Sequence, residues 1–376
     1  MNITWRGFSG FVFVAALAFA AACGPKGGAG AIRLGVAGPM TGDQAAFGEE
    51  VLYGASLAAE EWNERGGVLG KRIKIVKRDD QAKPDQATQA AYELVSEGVA
   101  GVIGHFNSGC TIPASEVYHQ NNVPMLTPSA TNPDITDRKY ANIFRVCGRD
   151  DDQGRTAAEY AVKTLKVKKV AVLHDRTPYG AGLTDQFKRN IEKSLGAKAI
   201  VYYDGFDDKE KFFDPYLQEI KKKDPDLLYF GGIYHQAGPL TVKARELGLR
   251  AAVMFGDGVI NEQYIESAKE AAEGAYVTFG PDPEKIPAAK GFLEKYRKTY
   301  QKPAGAYSIY AYEAANILLA SIARAKGTDG KAVSEEIRRS PHESSIGTIR
   351  FDGKGDIQGS YYVMWQVRNG KFAALQ

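Results

Sequence analysis

Residues 32–37 (IRLGVA), 73–77 (IKIVK) and 99–103 (VAGVI) are three short runs rich in β-branched residues, and two helical patterns, over 47–64 and 84–97, lie between them. This alternation decides the fold class. Strands that return parallel to their predecessors need a crossover, and an intervening helix supplies it, so the segment predicts an α/β unit built on a parallel sheet. Within 47–64, Val51, Ala55, Ala58 and Trp62 recur at helical spacing, which gives the helix an apolar stripe to lay on the sheet. Gly66 and Gly67 supply its stop.

A second series of the same kind runs through 169–174, a helix carrying Leu183, Phe187, Ile191 and Leu195, then 227–230 and 252–255. It predicts a second α/β lobe. Residues 144–152 separate the two series and read as a crossover strand entering the second lobe. Past Tyr276 the pattern changes to long helices, 288–300 and 308–326, which need a sheet face to cover; the first lobe is the expected recipient. The chain closes with a strand-like 348–351, the turn Asp352-Gly353-Lys354-Gly355 and 361–367, a β-hairpin signal. The domain expectation is therefore lobe 1 from 31–148 plus 277–353 and lobe 2 from 149–276 plus 354–376.

Upstream, Arg6 precedes an apolar run over 8–22 that ends in Ala20-Ala21-Ala22-Cys23 and gives way to a Gly-rich spacer reaching Gly30. The run is about fifteen residues, short of the ~20 that an apolar helix needs to cross a bilayer. Small residues before the break fit a signal peptide over 1–22. Small residues directly before a cysteine resemble a bacterial lipobox, which predicts lipidation of Cys23 followed by a flexible spacer over 23–30. Plain cleavage after Ala22 and an uncleaved anchor are the alternatives. Roughly 350 residues then remain, a length suited to two lobes.

Among 376 residues there are 48 Lys and Arg against 45 Asp and Glu, a near-neutral balance that gives no sign of a polyelectrolyte partner, a polyanion site on a basic run being the minor alternative. The basic runs 166–169 and 221–223 read as solvated faces, so no nucleic-acid partner is expected. Cys110 and Cys147 would be the cysteines left beside Cys23, and an exported compartment permits a disulfide between them. Two buried thiols is the alternative, and the sequence leaves both open.

Catalytic signatures are missing: there is no Gly-x-Ser-x-Gly elbow, no His-Glu-x-x-His, and no Gly-x-Gly-x-x-Gly after a strand. Residues 66–71 look faintly like a phosphate loop, but Arg65 stands at the first glycine position and Arg72 at that of the magnesium-binding hydroxyl. The five histidines show no metal-pair spacing. No catalytic residue, metal or cofactor is expected.

What remains is a set of polar loops at strand ends, where open parallel sheets place ligands. Residues 102–111 (VIGHFNSGCT) leave a strand and start a helix, so free backbone N–H groups and Ser108 could bind a carboxylate; helix capping by Ser108 or Thr111 is the bland reading. Residues 123–126 end in Thr127-Pro128-Ser129-Ala130-Thr131, offering hydroxyls at the same sheet edge, with Thr131 as a plain cap the alternative. Across the cleft, 174–180 (HDRTPYG) would project Tyr179, unless that ring only packs. Residues 255–258 place Asp257 between glycines, where it could meet an ammonium group or simply turn the chain.

Together with Ala37-Gly38-Pro39-Met40-Thr41-Gly42, Gly104-His105, Pro113-Ala114-Ser115 and Asp152-Gln153-Gly154, these loops resemble, in order and over nearly the whole chain, the leucine/isoleucine/valine-binding family of extracytoplasmic receptors for ABC importers. The resemblance implies a type I periplasmic-binding fold: two doubly wound parallel-sheet lobes, three crossovers and a ligand cleft between them. It places carboxylate contacts on Ser108 and Thr131 with backbone help from Ser129 and Ala130, and the ammonium contact on Asp257 with Thr131 assisting. Tyr179 would close over the ligand, and Phe47 would lie beside it. The loop 231–235 would face it, through either Ile233 or Tyr234. Two positions depart from the family: Asp257 stands where relatives carry Glu, and Ala82 where some carry a disulfide-forming cysteine, for which the Cys110 and Cys147 pair could substitute. Arg149 offers a polar option for a ligand with an extra carboxylate or amide.

The implied function is capture of an amino acid, branched-chain aliphatic first, by a monomer in the periplasm or at the cell surface, with a lipid on Cys23 holding it near its permease. The alternatives are an amide, γ-aminobutyrate, urea or an aromatic acid on the same scaffold, or a ligand-sensing module.

Overall fold

A computed structural model describes residues 1–4, 30–359 and 361–375. Residues 5–22 of the expected signal peptide, Cys23 and most of the spacer fall on 5–29, outside the described residues. The first alternation gives β1 (Ile32–Gly38), α1 (Ala45–Glu64), β2 (Ile73–Asp79), α2 (Pro84–Ser96), β3 (Val102–Ile103), α3 (Ser108–Gln120), β4 (Met125–Thr127), α4 (Asp134–Asp137) and β5 (Ile143–Arg145). All five strands run parallel in the order β2-β1-β3-β4-β5. The inner strands β3 and β4 are wholly buried, as a sheet covered on both faces requires, whereas the edge strand β2 carries Lys74, Lys77 and Arg78 among its apolar residues.

The second alternation gives α5 (Asp150–Lys163), β6 (Val170–His174), α6 (Pro178–Leu195), β7 (Ile200–Gly205), α7 (Asp214–Lys223), β8 (Leu227–Gly231), α8 (Tyr234–Glu246), β9 (Ala252–Phe255), α9 (Glu262–Ala268) and β10 (Tyr276–Phe279). Here the order β7-β6-β8-β9-β10 repeats that of the first sheet. The chain then returns to lobe 1 with α10 (Lys290–Tyr300), α11 (Ser308–Ala325) and α12 (Gly330–Arg339). Leu318 and Leu319 of α11 and Val333 and Ile337 of α12 join the core that holds Val51, Ala55 and Ala58 of α1. The expectation that these helices cover the first lobe holds.

Three sequence expectations are corrected. Residues 143–145 form the last strand of lobe 1, and the passage to lobe 2 is made by 146–149, ahead of α5. The boundary expected at 277 falls inside β10, which pairs with β9 and so belongs wholly to lobe 2. The closing hairpin is also different: 348–351 makes only isolated bridges, while β11 (Val363–Arg368) pairs antiparallel with β10 and with β12 (Lys371–Ala374) around the Asn369-Gly370 turn. Asp352 instead closes a compact turn, its Oδ1 accepting from the N–H groups of Lys354, Gly355 and Asp356. Three segments thus connect the lobes: 146–149, 280–289 and 352–362.

Cys110 and Cys147 are free and buried. Cys110 packs in the apolar layer between the first sheet and α2 and α3, whereas Cys147 donates its thiol toward the Ala130 carbonyl at 3.6 Å. Each thiol has its own packing partner, so the disulfide left open by the sequence is not formed.

Candidate ligand-binding site

The strand order reverses direction between β1 and β3 in lobe 1 and between β6 and β8 in lobe 2, and loops leaving the C-terminal ends of these strands diverge to leave a crevice. The two crevices face each other. Gly104 allows the loop after β3 to pass over β1: its φ is +128°, and a Cβ there would stand 2.1 Å from the Ala37 carbonyl oxygen. Beyond it, Phe106 stacks on Phe47 of α1 at 4.3 Å, and Tyr307 meets both rings edge-on at 4.9 and 5.4 Å. These buried rings form the apolar wall of the lobe 1 side.

Ser108 is the first residue of α3, 2% exposed, and its Oγ accepts from the Asn132 N–H at 3.3 Å. The 127–132 loop beside it is held from within. Thr127 Oγ1 donates to the His105 carbonyl and accepts from the Ala130 N–H at 2.9 Å; Ser129 Oγ donates to the Phe106 carbonyl. From behind, the fully buried Arg145 donates to the carbonyls of Ala130 and Asn132 and pairs with Asp356 at 2.5 Å. Ser129 Oγ and the Ala130 N–H therefore shape the loop, while Thr131 Oγ1 is buried with no protein partner. Ser108 and Thr131 are the two hydroxyls that this frame presents.

On the lobe 2 side, Thr177 caps α6 by accepting from the Gly180 N–H, and Pro178 occupies the first turn, so Tyr179 leaves the helix start toward the cleft. Its hydroxyl donates to Asp257 Oδ1 at 2.8 Å and accepts from the Gly258 N–H at 3.0 Å. Gly256 makes this approach feasible, because a Cβ there would lie 2.5 Å from the Tyr179 hydroxyl. Tyr362, from the third crossover, reaches Asp257 Oδ2 at 3.4 Å. Burial pushes the Asp257 carboxyl up to about 6, against the opposing pull of these hydroxyls.

The lobes are closed on one another. Tyr234 donates to the Asp43 carbonyl at 2.7 Å and meets Phe47 edge-on at 4.8 Å. Asn132 donates to the Pro178 carbonyl at 2.7 Å, and Asn261 to Glu50 Oε1 at 3.2 Å. Of the two aromatic or aliphatic options in the 231–235 loop, Tyr234 serves this lobe contact, while Ile233 packs beside Gly258 and Tyr179. Arg149 does not enter the cleft: Asp137, Asp151 and Asp356 hold it. An interlobe groove of about 980 Å³ lies at the mouth, lined by Thr41, Asn107, Tyr179, Ile233 and His235 among others. Among the described residues there is no cluster of three or more metal-ligating side chains.

Sequence reading does not find Tyr307, Tyr362, Phe106 or Asp150 as cleft residues. Asp150 begins α5 and is fully buried, its two oxygens without partners. Its signal was the Asp-rich start of a helix just after the crossover, beside a Gln153 that also belongs to the cleft.

The sequence pattern of a family described as "Periplasmic binding protein" matches residues 31–371. An "Amino acid binding protein" of Pseudomonas aeruginosa is 41% identical over 348 residues, 92% of each chain. The leucine-binding protein LivK of Thermotoga maritima is similar in structure, with a TM-score of 0.86 and 30% identity over 92% of this chain and 98% of that one. The branched-chain amino acid transporter substrate-binding protein LivJ of Streptococcus pneumoniae, solved with isoleucine, gives 0.84 and 27% over 92% and 99%.

Proposed function

This chain belongs to the periplasmic binding protein family, and on that footing we propose that it is the extracytoplasmic solute-binding receptor of an ABC importer, capturing a branched-chain aliphatic amino acid by closure of its lobes. The family consists of transport receptors rather than enzymes, and it works outside the cytoplasm. One observation carries the reading: a cleft with two hydroxyls, a helix start and an apolar ring wall on one side, and a buried carboxylate on the other. A zwitterion with a compact apolar side chain satisfies all three surfaces at once, because buried charge must be paired to be tolerated.

In this reading Ser108 and Thr131 bind the α-carboxylate, Thr131 on the loop whose 129–130 backbone Thr127 holds; Asp257 binds the ammonium; Tyr179 closes the lobe 2 side; and Phe47 and Tyr234 bound the side-chain end. A similar structure solved with isoleucine, and another solved with leucine, support the substrate class. Domain closure presents the loaded form to the permease. The protein acts as a monomer, and a lipid on Cys23 keeps it at the membrane; full acylation is needed there, since one chain anchors only marginally.

Calorimetric titration of refolded, ligand-stripped protein lacking residues 1–23 tests this. One-to-one binding of leucine, isoleucine or valine is expected; silence toward all three, with binding of an amide or aromatic acid, overturns the substrate class. For the anchor, radiolabelled palmitate should enter the full chain and not its Cys23→Ala variant.

A further inference from the structure

The basic runs 166–169 and 221–223 stand far apart in sequence and meet at one edge of lobe 2. The entries of β7, β6, β8 and β9 are level there, since Val170 pairs with both Ile200 and Leu227, and Leu227 with Ala252. Exposed cations precede each strand: Lys198 before β7, Lys166, Lys168 and Lys169 before β6, Lys221, Lys222 and Lys223 before β8, and Arg250 before β9. With strands about 4.8 Å apart, the row spans about 15 Å. Its parts are in contact: Lys169 Nζ donates to the Asp224 carbonyl at 3.3 Å, and Lys221 Nζ stands 3.8 Å from where a Cβ on Gly248 would be.

Little countercharge accompanies the row. Asp226 Oδ2 accepts from the N–H groups of Lys168 and Lys169 at 2.7 and 2.8 Å, and Glu192, Glu219 and Glu246 pair with Lys188, Lys222 and Lys243. Against the unpaired Asp224 carboxylate stand Lys166, Lys168, Lys198, Lys221, Lys223 and Arg250, six cations with no ion pair among the described residues. Helix ends attract lysine for their own sake, because the carbonyl end is the negative pole. That accounts for 221–223 at the end of α7, but not for Lys166, Lys168, Lys198 or Arg250, which lie outside the α-helices. The matching edge of lobe 1 is mixed in sign: α1 ends on Glu64, Glu97 follows α2, and Lys71 and Arg72 precede β2.

We propose that this edge of lobe 2 is a docking surface for an anionic lipid bilayer. Phosphate headgroups supply the charge that the row lacks, and every exposed Lys or Arg near such a surface strengthens the attraction. Leu195, 39% exposed, lies at the same edge between Lys193 and Lys198, and an apolar side chain flanked by lysines suits the headgroup boundary better than a soluble polyanion. The family works outside the cytoplasm, away from nucleic acids that would compete for the row. Because the lobes face each other through the C-terminal ends of their strands, their opposite edges are the two ends of the molecule. The proposed Cys23 tether reaches the lobe 1 end, where β1 begins at Ile32. Held there and drawn down at the lobe 2 end, the receptor lies lengthwise on the bilayer, with both lobes beside the surface that holds the permease. None of this depends on which solute the cleft takes.

Co-sedimentation of the chain without residues 1–23, so that no lipid contributes, is the test. The probes are phosphatidylglycerol–phosphatidylcholine vesicles and pure phosphatidylcholine vesicles, each at low and at high salt. Wild type is compared with a Lys168→Gln, Lys221→Gln, Lys223→Gln triple variant and with a Lys71→Gln, Arg72→Gln, Lys74→Gln triple variant, which makes the same change in net charge on lobe 1. Melting curves establish that both variants fold. Wild type should bind the anionic vesicles alone and be released by high salt. The lobe 2 variant should bind them about 100-fold more weakly, about fivefold per cation, and the lobe 1 variant within about threefold of wild type. Absence of wild-type binding to anionic vesicles at low salt overturns the proposal, and so does equal weakening by the two variants, which would mean bulk charge alone. Binding to inorganic polyphosphate without binding to vesicles overturns the bilayer as the occupant.

Discussion

The two sides of the cleft are built on the same strand order, yet they solve opposite electrostatic problems. The lobe 1 side is a frame of neutral donors: Ser108 at a helix start and Thr131 on a loop that Thr127, Ser129 and Arg145 hold rigid. The lobe 2 side is an acid with hydroxyls around it, Asp257 between Tyr179 and Tyr362. Neither side carries a full countercharge for itself. The difference teaches that topology sets where a ligand sits, while the chemistry at each strand end sets which way round it lies. A dipolar ligand bridges the two sides; an ion of either sign satisfies only one.

The most severe break in this comparison is Asp257→Ala. It should cost about 3 kcal/mol, a ~100-fold rise in Kd for the amino acid, because the buried ammonium loses its ionic partner. Ser108→Ala attacks the other side and should cost about 2 kcal/mol, ~30-fold, the scale of a hydrogen bond to a charged group. Titrating the amino-acid amide, which lacks the carboxylate, sharpens the contrast: its weaker binding should be indifferent to Ser108→Ala and still sensitive to Asp257→Ala. Sensitivity to Ser108→Ala with indifference to Asp257→Ala would place the ligand the other way round.

Proton uptake by Asp257 gives a smaller effect. Its carboxyl is raised from 3.8 to about 6 by burial, so it is ionised above that value and neutral below, and only the ionised form pairs with ammonium. Affinity measured by calorimetry should be full above pH 7 and about tenfold lower at pH 5 from this group alone. An affinity flat across this range would mean that the ammonium sits elsewhere. The smallest change expected is Tyr234→Phe, which removes the lobe-to-lobe bond to the Asp43 carbonyl. At about 1 kcal/mol it should weaken binding ~fivefold through the closing equilibrium, with the preference among ligands untouched.

Much of this was readable from local signals. The strands of 32–37 and 227–230 announce themselves by β-branched runs, and Ser108, Thr131, Tyr179 and Asp257 all sit one short loop beyond a strand. Tyr307 and Tyr362 carry no such signal. Each reaches the cleft from a segment that returns to it after a long excursion, and only the completed topology brings Tyr307 against Phe47 or Tyr362 against Asp257. Edge strand β7 is half exposed and mixed in composition, so its pattern is faint. The 348–351 run is β-like in residue type, but the Asp352 turn that follows bonds to itself and leaves no partner strand for it. Asp150 shows the limit from the other side: its sequence context reads as an ordinary acidic helix start, and only its lack of bonds in the fold marks it.

The interleaving of the lobes has a consequence for how the chain is made. Lobe 1 draws its sheet from 32–145 and its covering helices from 290–339, and lobe 2 cannot complete its sheet until 363–374 pairs with β10. As synthesis proceeds from the amino end, neither core can be finished until nearly the last residue has appeared, and the contacts that finish it are long in sequence and slow to find. A protein so ordered remains threadable for most of its synthesis, the condition a chain must keep if it is to pass through a membrane pore before it folds.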